Sequence, residues 1–294
     1  MQENPVVSVI CLCFNHAEFI VECLKSIENQ SYKNIEIIVV DDCSTDNSVE
    51  IIKNYILQYP KIVFIANEIN LGSTKSFNQA LQMSTGEFII DLATDDVLLP
   101  NCIALQLDCF LNSTYSNLGI VYGNAENILE NGSHNSFYYI VNQDLKVIKN
   151  RQTGNIYTQV LAGGDSYCSA SALVKRTVYN DLIGYDETLV YEDLDFWIRA
   201  SRKYNIDFID EILMQKRIVK NSLGSQFFNK NHKINESTYL ILKKALALNR
   251  SKEEDRALLK RVHYEIINCL KARIFDLLIK NIGLKLKLFF RIHF

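Results

Sequence analysis

Residues 6–13 read V-V-S-V-I-C-L-C, a nearly continuous apolar run between Pro5 and Asn15. Its length and its β-branched side chains predict a strand that is buried on both faces of a sheet. Two later runs, at residues 35–40 and 88–92, have the same character. The segments between these runs repeat apolar side chains at helical spacing. Strands that alternate with helices predict βαβ units around a mostly parallel sheet.

The same patterns predict the other elements of the chain. Helices are expected over residues 17–29, 44–59 and 73–84, from about Pro100, over 192–204, and from about Lys233 onward. Ser44 is the expected cap of the second of these helices. Further strands are expected at residues 62–66 and 120–123, and regular structure is expected again at 169–174. Residues 125–155 are polar and rich in Asn, which indicates loops with a hairpin.

The composition is that of a folded protein. The chain has 294 residues, of which 48% are hydrophobic and 22% are charged. This length suits one large domain, or one domain with an appendage. The net charge of -3 provides no overall attraction to nucleic acid, so we expect no nucleic-acid partner.

The cysteines and the termini bear on the compartment. The eight cysteines are scattered, mostly within apolar runs, and contain no Cys-x-x-Cys pair. We therefore expect buried reduced thiols and no structural zinc site. The N-terminal residues show no signal-peptide pattern, and no apolar run reaches the roughly 18 residues that a spanning helix needs. A cytoplasmic protein is expected, either free or peripheral at the inner face of the membrane.

Acidic residues follow the predicted strands where other nucleotide-binding folds have glycines. The chain has neither Gly-x-Gly-x-x-Gly nor a P-loop motif, which disfavours a Rossmann dehydrogenase and a P-loop NTPase. Ligands of parallel sheets bind beyond the carboxyl ends of the strands. The polar residues expected there are Asn15, Asp41, Asp42, Asp95 and Asp96. Because carboxylates repel phosphates, these acids predict a bridging Mg²⁺ or Mn²⁺ ion at Asp95-Asp96.

Each acidic cluster also has a plainer interpretation. Asp95-Asp96 could simply cap the helix near Pro100, since acids at helix starts are common. A third cluster, Glu192-Asp193, lies at a predicted helix start and has the same alternative. A transfer to a hydroxyl group needs a base within hydrogen-bond reach, and Asp193 is our candidate for that base.

Taken together, these segments resemble family 2 of the inverting glycosyltransferases, over about the first two hundred residues. The first strand, through Asn15, is similar to the family's V-S-V-I-I-P-T-Y-N. Further similar segments are Gln30-Ser31-Tyr32, residues 36–46 (E-I-I-V-V-D-D-C-S-T-D), Asn70-Leu71-Gly72 with Asn78, residues 85–89 (T-G-E-F-I), residues 93–96 (A-T-D-D), residues 184–187 (G-Y-D-E) and residues 191–199 (Y-E-D-L-D-F-W-I-R). These motifs occur in the family's order.

The resemblance implies an α/β fold of the GT-A type, with a Rossmann-like, mostly parallel central sheet flanked by helices and a helical C-terminal extension. It implies a glycosyltransferase domain at residues 1–225, with a nucleotide-sugar half at about 1–124 and an acceptor half at about 125–225. Residues 226–294 would form the helical extension.

The resemblance also implies roles for the donor side. Asp42 would recognise the uracil-type base or the ribose, with Phe14 beside it. Asp95 and Asp96 would ligate Mn²⁺ or Mg²⁺ and contact the diphosphate. The full set implied for the nucleotide sugar, a UDP-sugar, is Leu12, Phe14, Asn15, Asp42, Lys75 and Asp95.

On the acceptor side, the resemblance implies Asp193 as the catalytic base, with Glu192 as its catalytic neighbour. The reaction would be a single in-line displacement that inverts the anomeric carbon. The acceptor would be a glycan or a lipid-linked glycan.

The sequence departs from the family pattern at several positions. Ala93 replaces the first Asp of the usual D-x-D, and Phe77 stands where an Arg often precedes the Asn. Lys75 is close enough to substitute for that Arg electrostatically. Val219 stands where the family often has a His, for which His232 is a conceivable replacement.

Other functions stay open at this stage. A nucleotidyltransferase also uses a parallel sheet, acids and Mg²⁺, although it normally shows a glycine-rich loop after the first strand. A degenerate donor-binding scaffold is suggested by Ala93 and Val219. The C-terminal residues 271–294 mix apolar and basic side chains. They predict either a helix packed on the domain or a peripheral membrane contact.

Overall fold

The computed structural model describes residues 4–163, 167–220, 227 and 233–294. The chain divides into two compact units. The first contains Met1–Gly154, Cys168–Tyr185 and Tyr204–Val219, and the second contains Asn155–Tyr167, Asp186–Lys203 and Lys220–Phe294.

Strands and helices alternate through the first part of the chain, and helices alone form its C-terminal part. The elements in order are β1 (Val7–Cys13), α1 (Ile20–Glu28), β2 (Ile35–Asp41), α2 (Ser48–Ile56), β3 (Val63–Ala66), α3 (Ser73–Met83), β4 (Phe88–Ala93), β5 (Val97–Leu98), α4 (Cys102–Asn112), β6 (Leu118–Leu129), β7 (His134–Phe137), α5 (Tyr157–Ala162), β8 (Leu173–Lys175), α6 (Arg176–Leu182), α7 (Asp193–Ser201), β9 (Asn205–Ile218), α8 (Lys233–Leu248), α9 (Lys252–Lys271) and α10 (Phe275–His293).

The first unit is built on one sheet, whose strands run in the order β3-β2-β1-β4-β8-β6-β9-β5, with β7 paired to β6. The pairs of β1 with β2, β1 with β4, β2 with β3 and β6 with β9 are parallel, whereas β8 is antiparallel to both of its neighbours. The predicted α/β architecture, with a mostly parallel sheet and C-terminal helices, is confirmed.

Strand β1 lies in the middle of the parallel part and is covered on both faces. Val7, Val9, Ile10 and Cys11 have no exposed surface. Alternate residues of a strand face opposite sides of the sheet, so burial of consecutive residues requires helices on both sides. Burial on both faces is the physical reason for the unbroken apolar run at residues 6–13, from which β1 was predicted.

The structure corrects three expectations about local structure. Strand β6 continues to Leu129, well past the four residues predicted for it, and β9 (Asn205–Ile218) was not predicted at all. Ser44 does not cap a helix, because α2 begins only at Ser48 and its N-terminus has no side-chain cap. The Ser44 hydroxyl instead accepts a hydrogen bond from the N–H of Asn15 at 2.8 Å.

The second unit is helical. Helix α10 packs against α9 and α8, and Cys269, Ile274 and Leu277 form a buried cluster there. The Ser251 hydroxyl caps α9 by accepting from the N–H of Glu254 at 3.2 Å, as the preference for Ser at this position leads one to expect. None of the helices in the described residues is long and apolar enough to cross a membrane.

The glycines Gly184 and Gly283 should respond oppositely to replacement by Ala. Gly184 has a φ of +70°, and a Cβ there would lie 2.5 Å from Oδ1 of Asn78. We expect Gly184→Ala to lower the free energy of unfolding by about 1–3 kcal/mol. Gly283 lies inside α10, and a Cβ there would meet nothing within 4 Å, so Gly283→Ala should raise it by about 0.5–1 kcal/mol. Chemical denaturation of both variants checks this, and a destabilising Gly283→Ala would contradict it.

The pair of Asp186 with Lys244 should make stability depend on pH at the acid end. Burial alone would raise the pKa of Asp186, but hydrogen bonds from Lys244 and Thr188 outweigh it and lower the pKa from 3.8 to about 2. A lowered folded-state pKa stabilises the protein above the unfolded pKa, and this contribution is lost as the pH falls from about 4 towards 2. We expect Asp186→Asn to cost about 0.5–1 kcal/mol near neutral pH and progressively less below pH 4. Denaturation over this range measures it; a cost that does not change with pH would contradict it.

Candidate active site

The candidate site begins at the carboxyl ends of β1, β2 and β4, which are neighbours in the sheet. Backbone pairing continues past the strands. The N–H of Asp42 donates to the Cys13 carbonyl at 2.9 Å, and the N–H of Thr94 donates to the Leu12 carbonyl at 3.0 Å. The structure therefore brings the segments that follow these strands to one edge of the sheet, which is where parallel sheets bind ligands.

Asn15 ties the loop after β1 to the loop after β2. It has a φ of 58°, in the left-handed region that Asn tolerates better than most residues. Its Oδ1 accepts from the N–H of Thr45 at 2.7 Å, and its own N–H donates to Ser44. The N–H of Ala17 donates to Asp46 at 3.0 Å. Both loops are thus held in one hydrogen-bonded network.

The carboxylate of Asp42 holds the segment that leads into α3. The residue is only 7% exposed. Its Oδ1 accepts from the N–H of Leu71 at 2.8 Å, from the Ser76 hydroxyl at 2.9 Å and from Nδ2 of Asn67 at 2.9 Å, and its Oδ2 accepts from the N–H of Gly72 at 2.8 Å. Most of its hydrogen-bonding capacity serves the fold, and its expected role with the base or ribose stays a prediction.

Three further donor-side candidates differ in accessibility. Phe14 is 45% exposed, which leaves one side of an aromatic ring open to a ligand. Lys75 is exposed in the first turn of α3, and Leu12 is half-buried within β1. An aromatic face and a cation are therefore available in the first unit, on segments that Asp42 and the β1 pairing hold in place.

The Asp95 carboxylate has few partners. The residue is 8% exposed, and its side chain makes no hydrogen bond within the part of the chain that the structure describes. Nδ1 of His16 lies 3.8 Å from its Oδ1. That nitrogen is 2.9 Å from the Thr94 hydroxyl. His16 was not among the predicted site residues, although its position directly after Asn15 was a usable signal.

Arg217 holds the Asp95-Asp96 turn in place through hydrogen bonds. Oδ1 of Asp96 accepts from the backbone N–H of Arg217 at 2.8 Å, and Nε of Arg217 donates to the Asp95 carbonyl at 2.9 Å. The guanidinium also donates to the carbonyls of Leu129 and Glu130, at 3.2 and 3.1 Å. One buried side chain thus connects the Asp95-Asp96 turn to β9 and to the end of β6.

Arg217 is 5% exposed, so its charge needs compensation. Nη2 of Arg217 lies 2.6 Å from the carboxylate of Glu22 in α1, and the guanidinium is 4.7 Å from the centre of the Phe19 ring. The sequence analysis assigned Arg217 no role. The signal that could have revealed it is its position two residues before Val219, where the family often has a His.

Burial, with a smaller contribution from the nearby Asp95, raises the pKa of Asp96 to about 7. Lys216, together with the hydrogen bond and charge of Arg217, lowers the pKa but only in part. The anionic form of Asp96 is therefore disfavoured at this buried position.

The donor set of Asp95 and Asp96 fits a hard divalent cation. No group of three or more His, Cys, Asp or Glu side chains that could hold a metal occurs among the described residues. Mg²⁺ is usually bound by one or two carboxylates and completes its shell with water and substrate phosphates. A mostly buried carboxylate without a hydrogen bond, beside a second carboxylate, suits that arrangement.

The departures from the family pattern have clear places in the structure. Ala93 is exposed at the end of β4, and its methyl side chain has no atom that could bind a metal. Phe77 is fully buried, with its ring 5.1 Å from that of Tyr179 and 4.3 Å from that of Tyr185. An Arg there would bury its charge in this cluster. Val219 is half-buried after β9, and His232 lies outside the described residues.

The predicted acceptor-side residues lie in the second unit. Glu192 is the N-cap residue of α7, and Asp193 is its first residue. Asp193 is exposed and Glu192 half-buried. Asp195, by contrast, is 2% exposed and is bonded to Nε of Arg199 at 2.6 Å and to Nζ of Lys244 at 3.1 Å. Within this cluster Asp195 stabilises the helix packing, whereas Asp193 is accessible to a substrate.

Replacement of Arg217 by Lys should destabilise the first unit. Lysine cannot reproduce the donor geometry that reaches both Asp95 and Glu22. The buried Asp95 carbonyl would lose its donor, and the cation would be buried without its full set of hydrogen bonds. We expect Arg217→Lys to lower the free energy of unfolding by about 2–4 kcal/mol. The matched control is Arg256→Lys, at an exposed position of α9. Chemical denaturation compares the two, and equal stability of both variants would contradict the anchoring role.

Curated proteins and solved structures offer comparisons. The chain is 31% identical to an uncharacterized glycosyltransferase of Methanocaldococcus jannaschii, MJ1057, over 220 residues, which cover 74% of this chain and 72% of that protein. TarS of S. aureus, in complex with UDP-GlcNAc, superposes with a TM-score of 0.65 at 21% identity, over 86% of this chain and 70% of TarS.

A second solved structure of similar fold is the mannosyltransferase PcManGT of Pyrobaculum calidifontis, in complex with GDP-Man and Mn²⁺. Its TM-score is 0.62 at 16% identity, over 97% of this chain and 81% of that protein. At such low identities the structural likeness establishes the fold, and it confirms the predicted GT-A-like arrangement.

The family model described as glycosyl transferase family 2 matches residues 8–181, which include β1 to β4 and the Asp95-Asp96 turn. With the sequence relative and the shared fold, this match shows that the chain belongs to glycosyl transferase family 2.

Proposed function

We propose that this chain transfers a sugar from a UDP-sugar to a hydroxyl group of a growing glycan, with inversion at the anomeric carbon. The observation that carries the proposal is the Asp95 carboxylate, which is 8% exposed at the carboxyl edge of the sheet and makes no hydrogen bond within the described chain. Burying a carboxylate without a hydrogen bond costs free energy unless a ligand or a cation binds it. The nucleotide sugars bound to TarS and PcManGT support the donor class.

The donor nucleotide would be held by the loops after β1 and β2. The exposed ring of Phe14 offers a stacking surface for the base. Oδ2 of Asp42 accepts one hydrogen bond, from Gly72, and has a further lone pair for a base N–H or a ribose hydroxyl. Lys75 would place a positive charge near the diphosphate, while Leu12 and Asn15 shape the edge through the backbone.

Asp95 and Asp96 would hold Mn²⁺ or Mg²⁺, with Arg217 fixing the position of the Asp96 carboxylate. The ion would supply Lewis-acid stabilisation of the departing diphosphate. PcManGT is described with Mn²⁺ bound, and the carboxylate pair of this chain has the hard oxygen donors that such ions prefer.

The acceptor end of the reaction would depend on Asp193. In the proposed step the acceptor oxygen forms a bond to the anomeric carbon while the bond from that carbon to the diphosphate oxygen breaks. The hydroxyl proton passes to the Asp193 carboxylate, and the nucleoside diphosphate leaves with the electron pair of the broken bond. A base in hydrogen-bond reach contributes about 10²–10⁴-fold to such a step. Glu192, as the N-cap residue, would keep Asp193 at the start of α7.

The acceptor would be a glycan or a lipid-linked glycan, and the proposed location is the cytoplasm. The thiol chemistry supports a reducing compartment, because all eight cysteines are free and six of them are buried. The inactive scaffold is kept as an outcome of the experiment below, and the family match counts against the nucleotidyltransferase.

The test of the proposed reaction is release of UDP or GDP from a panel of nucleotide sugars, with glycan acceptors and with Mn²⁺ or EDTA. We expect one donor to turn over with Mn²⁺ and not with EDTA. Asp193→Asn should lower turnover by about 10²–10⁴-fold, because the base is lost. It should leave the affinity for UDP unchanged in isothermal titration, because Asp193 is assigned to the acceptor side.

The matched control is Asp276→Asn. Asp276 is also an exposed aspartate in the first turn of a helix of the second unit, so its loss has the same electrostatic effect on a helix N-terminus. We expect full turnover from this variant. Equal activity of wild type and Asp193→Asn would rule out Asp193 as the base. Failure of UDP to bind with Mn²⁺ present would contradict the donor site, and binding without turnover of any donor would favour the inactive scaffold.

A further inference from the structure

Helix α10 carries two separate apolar stripes, and only one of them is buried. The inner stripe packs into the second unit and consists of Leu277, Leu284, Leu288 and Ile292, which are at most 6% exposed. A second set of large apolar side chains on the same helix is between 42% and 70% exposed. This outer stripe consists of Phe275, Ile279, Ile282, Leu286, Phe289 and Phe290.

The spacing of the outer stripe places it on one side of the helix. From Phe275 to Phe289 its members follow one another at intervals of four and three residues, which is the spacing of a single helical face. At 3.6 residues per turn this face points about 150° away from the inner stripe. The stripe extends for roughly 20 Å along the helix, at about 1.5 Å per residue.

Packing within the chain accounts for the inner stripe and leaves the outer one uncovered. Single exposed apolar residues are ordinary, but a continuous stripe of this length is unusual on the surface of a soluble protein and marks an interaction site. The presence of three phenylalanines strengthens this reading, because each buries a large area when it is covered.

Basic residues lie along both sides of the outer stripe. By helical geometry Lys287 is on one flank and Lys285 is on the other, whereas Lys280 and Arg291 lie closer to the inner stripe. Arg291 is paired with Asp255 at 2.9 Å, and Lys280 lies 3.6 Å from Glu236. Lys285 and Lys287 form no ion pair within the described residues, so their charges are available to a partner.

This charge pattern contrasts with the rest of the molecule. Residues 271–294 carry six Lys or Arg side chains and a single acid, Asp276, although the chain as a whole has a net charge of -3. Positive charge is therefore concentrated on the element that exposes the apolar stripe.

We propose that the outer stripe of α10 docks on an anionic lipid surface, with the helix lying in the plane of the interface. An apolar face with basic flanks is the pattern of such interfacial helices, which insert their apolar side chains among the headgroups while Lys and Arg meet lipid phosphates. A second copy of the chain fits less well, because it would bring like-charged lysines against both flanks. This binding does not depend on the proposed sugar transfer. If both hold, the acceptor is one that resides at a membrane.

The test is co-sedimentation of the full chain with vesicles. Wild type should bind vesicles of phosphatidylcholine mixed with phosphatidylglycerol, and bind vesicles of phosphatidylcholine alone much more weakly. The triple variant Ile279→Gln, Leu286→Gln, Phe290→Gln removes three outer-stripe side chains and should lower the partition coefficient by at least about tenfold. The double variant Lys285→Gln, Lys287→Gln should lower it by about fivefold for each lysine, with a weaker dependence on salt.

The matched control is the triple variant Leu57→Gln, Leu111→Gln, Ile140→Gln, which removes three equally exposed apolar side chains of the first unit. It should bind vesicles as wild type does. Circular dichroism and thermal denaturation check that each variant is folded. We expect folded variants, because the mutated side chains are exposed.

The proposal is overturned if wild type does not bind the anionic vesicles, or if the outer-stripe variant binds them as well as wild type. Sedimentation velocity tests the alternative that a second copy of the chain covers the outer stripe. A wild-type dimer that becomes a monomer in the outer-stripe variant, without vesicle binding, would assign the stripe to an interface between copies. UDP titration of the same variants tests the donor site separately from vesicle binding. A variant that loses vesicle binding and still binds UDP supports the membrane role without bearing on the proposed sugar transfer.

Discussion

Strand β1 is hydrogen-bonded in parallel to β2 on one side and to β4 on the other, and the site depends on this pairing. Cys13 is in register with Asp41, and Leu12 with Ala93, so the three strands end at the same level. The next N–H groups still donate to β1 carbonyls. The first residues of each loop are therefore held by backbone hydrogen bonds, which restrict their positions more than side-chain contacts would. Two consecutive acids after β4 reach the sheet edge for this reason alone.

Several motif residues stabilise the fold of the first unit and leave the chemistry to others. Glu36 accepts from the Ser8 hydroxyl at 2.5 Å and from the N–H of Thr85 at 2.8 Å, which joins β1, β2 and the turn before β4. The amide of Asn78 donates to the Tyr185 carbonyl and accepts from the Tyr185 N–H, both at 2.9 Å. These polar side chains replace water at buried backbone groups, a requirement that any sequence of this fold has to meet.

Much of the parallel half could be predicted from the sequence, because burial on both faces leaves unbroken apolar runs. The position of Asp95-Asp96 after such a run followed directly. Strand β9 was missed because acids at Asp207, Asp210 and Glu211 interrupt its pattern, and because its partner β6 is distant in sequence. Ser44 was misjudged for a different reason. A side-chain oxygen before a helix predicts a cap. The Ser44 hydroxyl instead accepts a hydrogen bond from the N–H of Asn15, which is distant in the sequence. The contacts of Arg217 could not have been predicted, since its side-chain acceptors come from three separate segments.

The sequence presents its acids as equivalent clusters, and the structure separates them by their hydrogen bonds. In the first unit Asp42 has several donors, whereas the Asp95 side chain has none among the described residues. In the second unit Asp195 is buried between Arg199 and Lys244, whereas Asp193 is exposed at the start of α7. A carboxylate whose lone pairs are already used is a poor ligand or base, because a substrate must first displace those donors. The absence of hydrogen bonds among the described residues thus distinguishes Asp95 from Asp42, and exposure to solvent distinguishes Asp193 from Asp195. Neither distinction refers to the family's motifs.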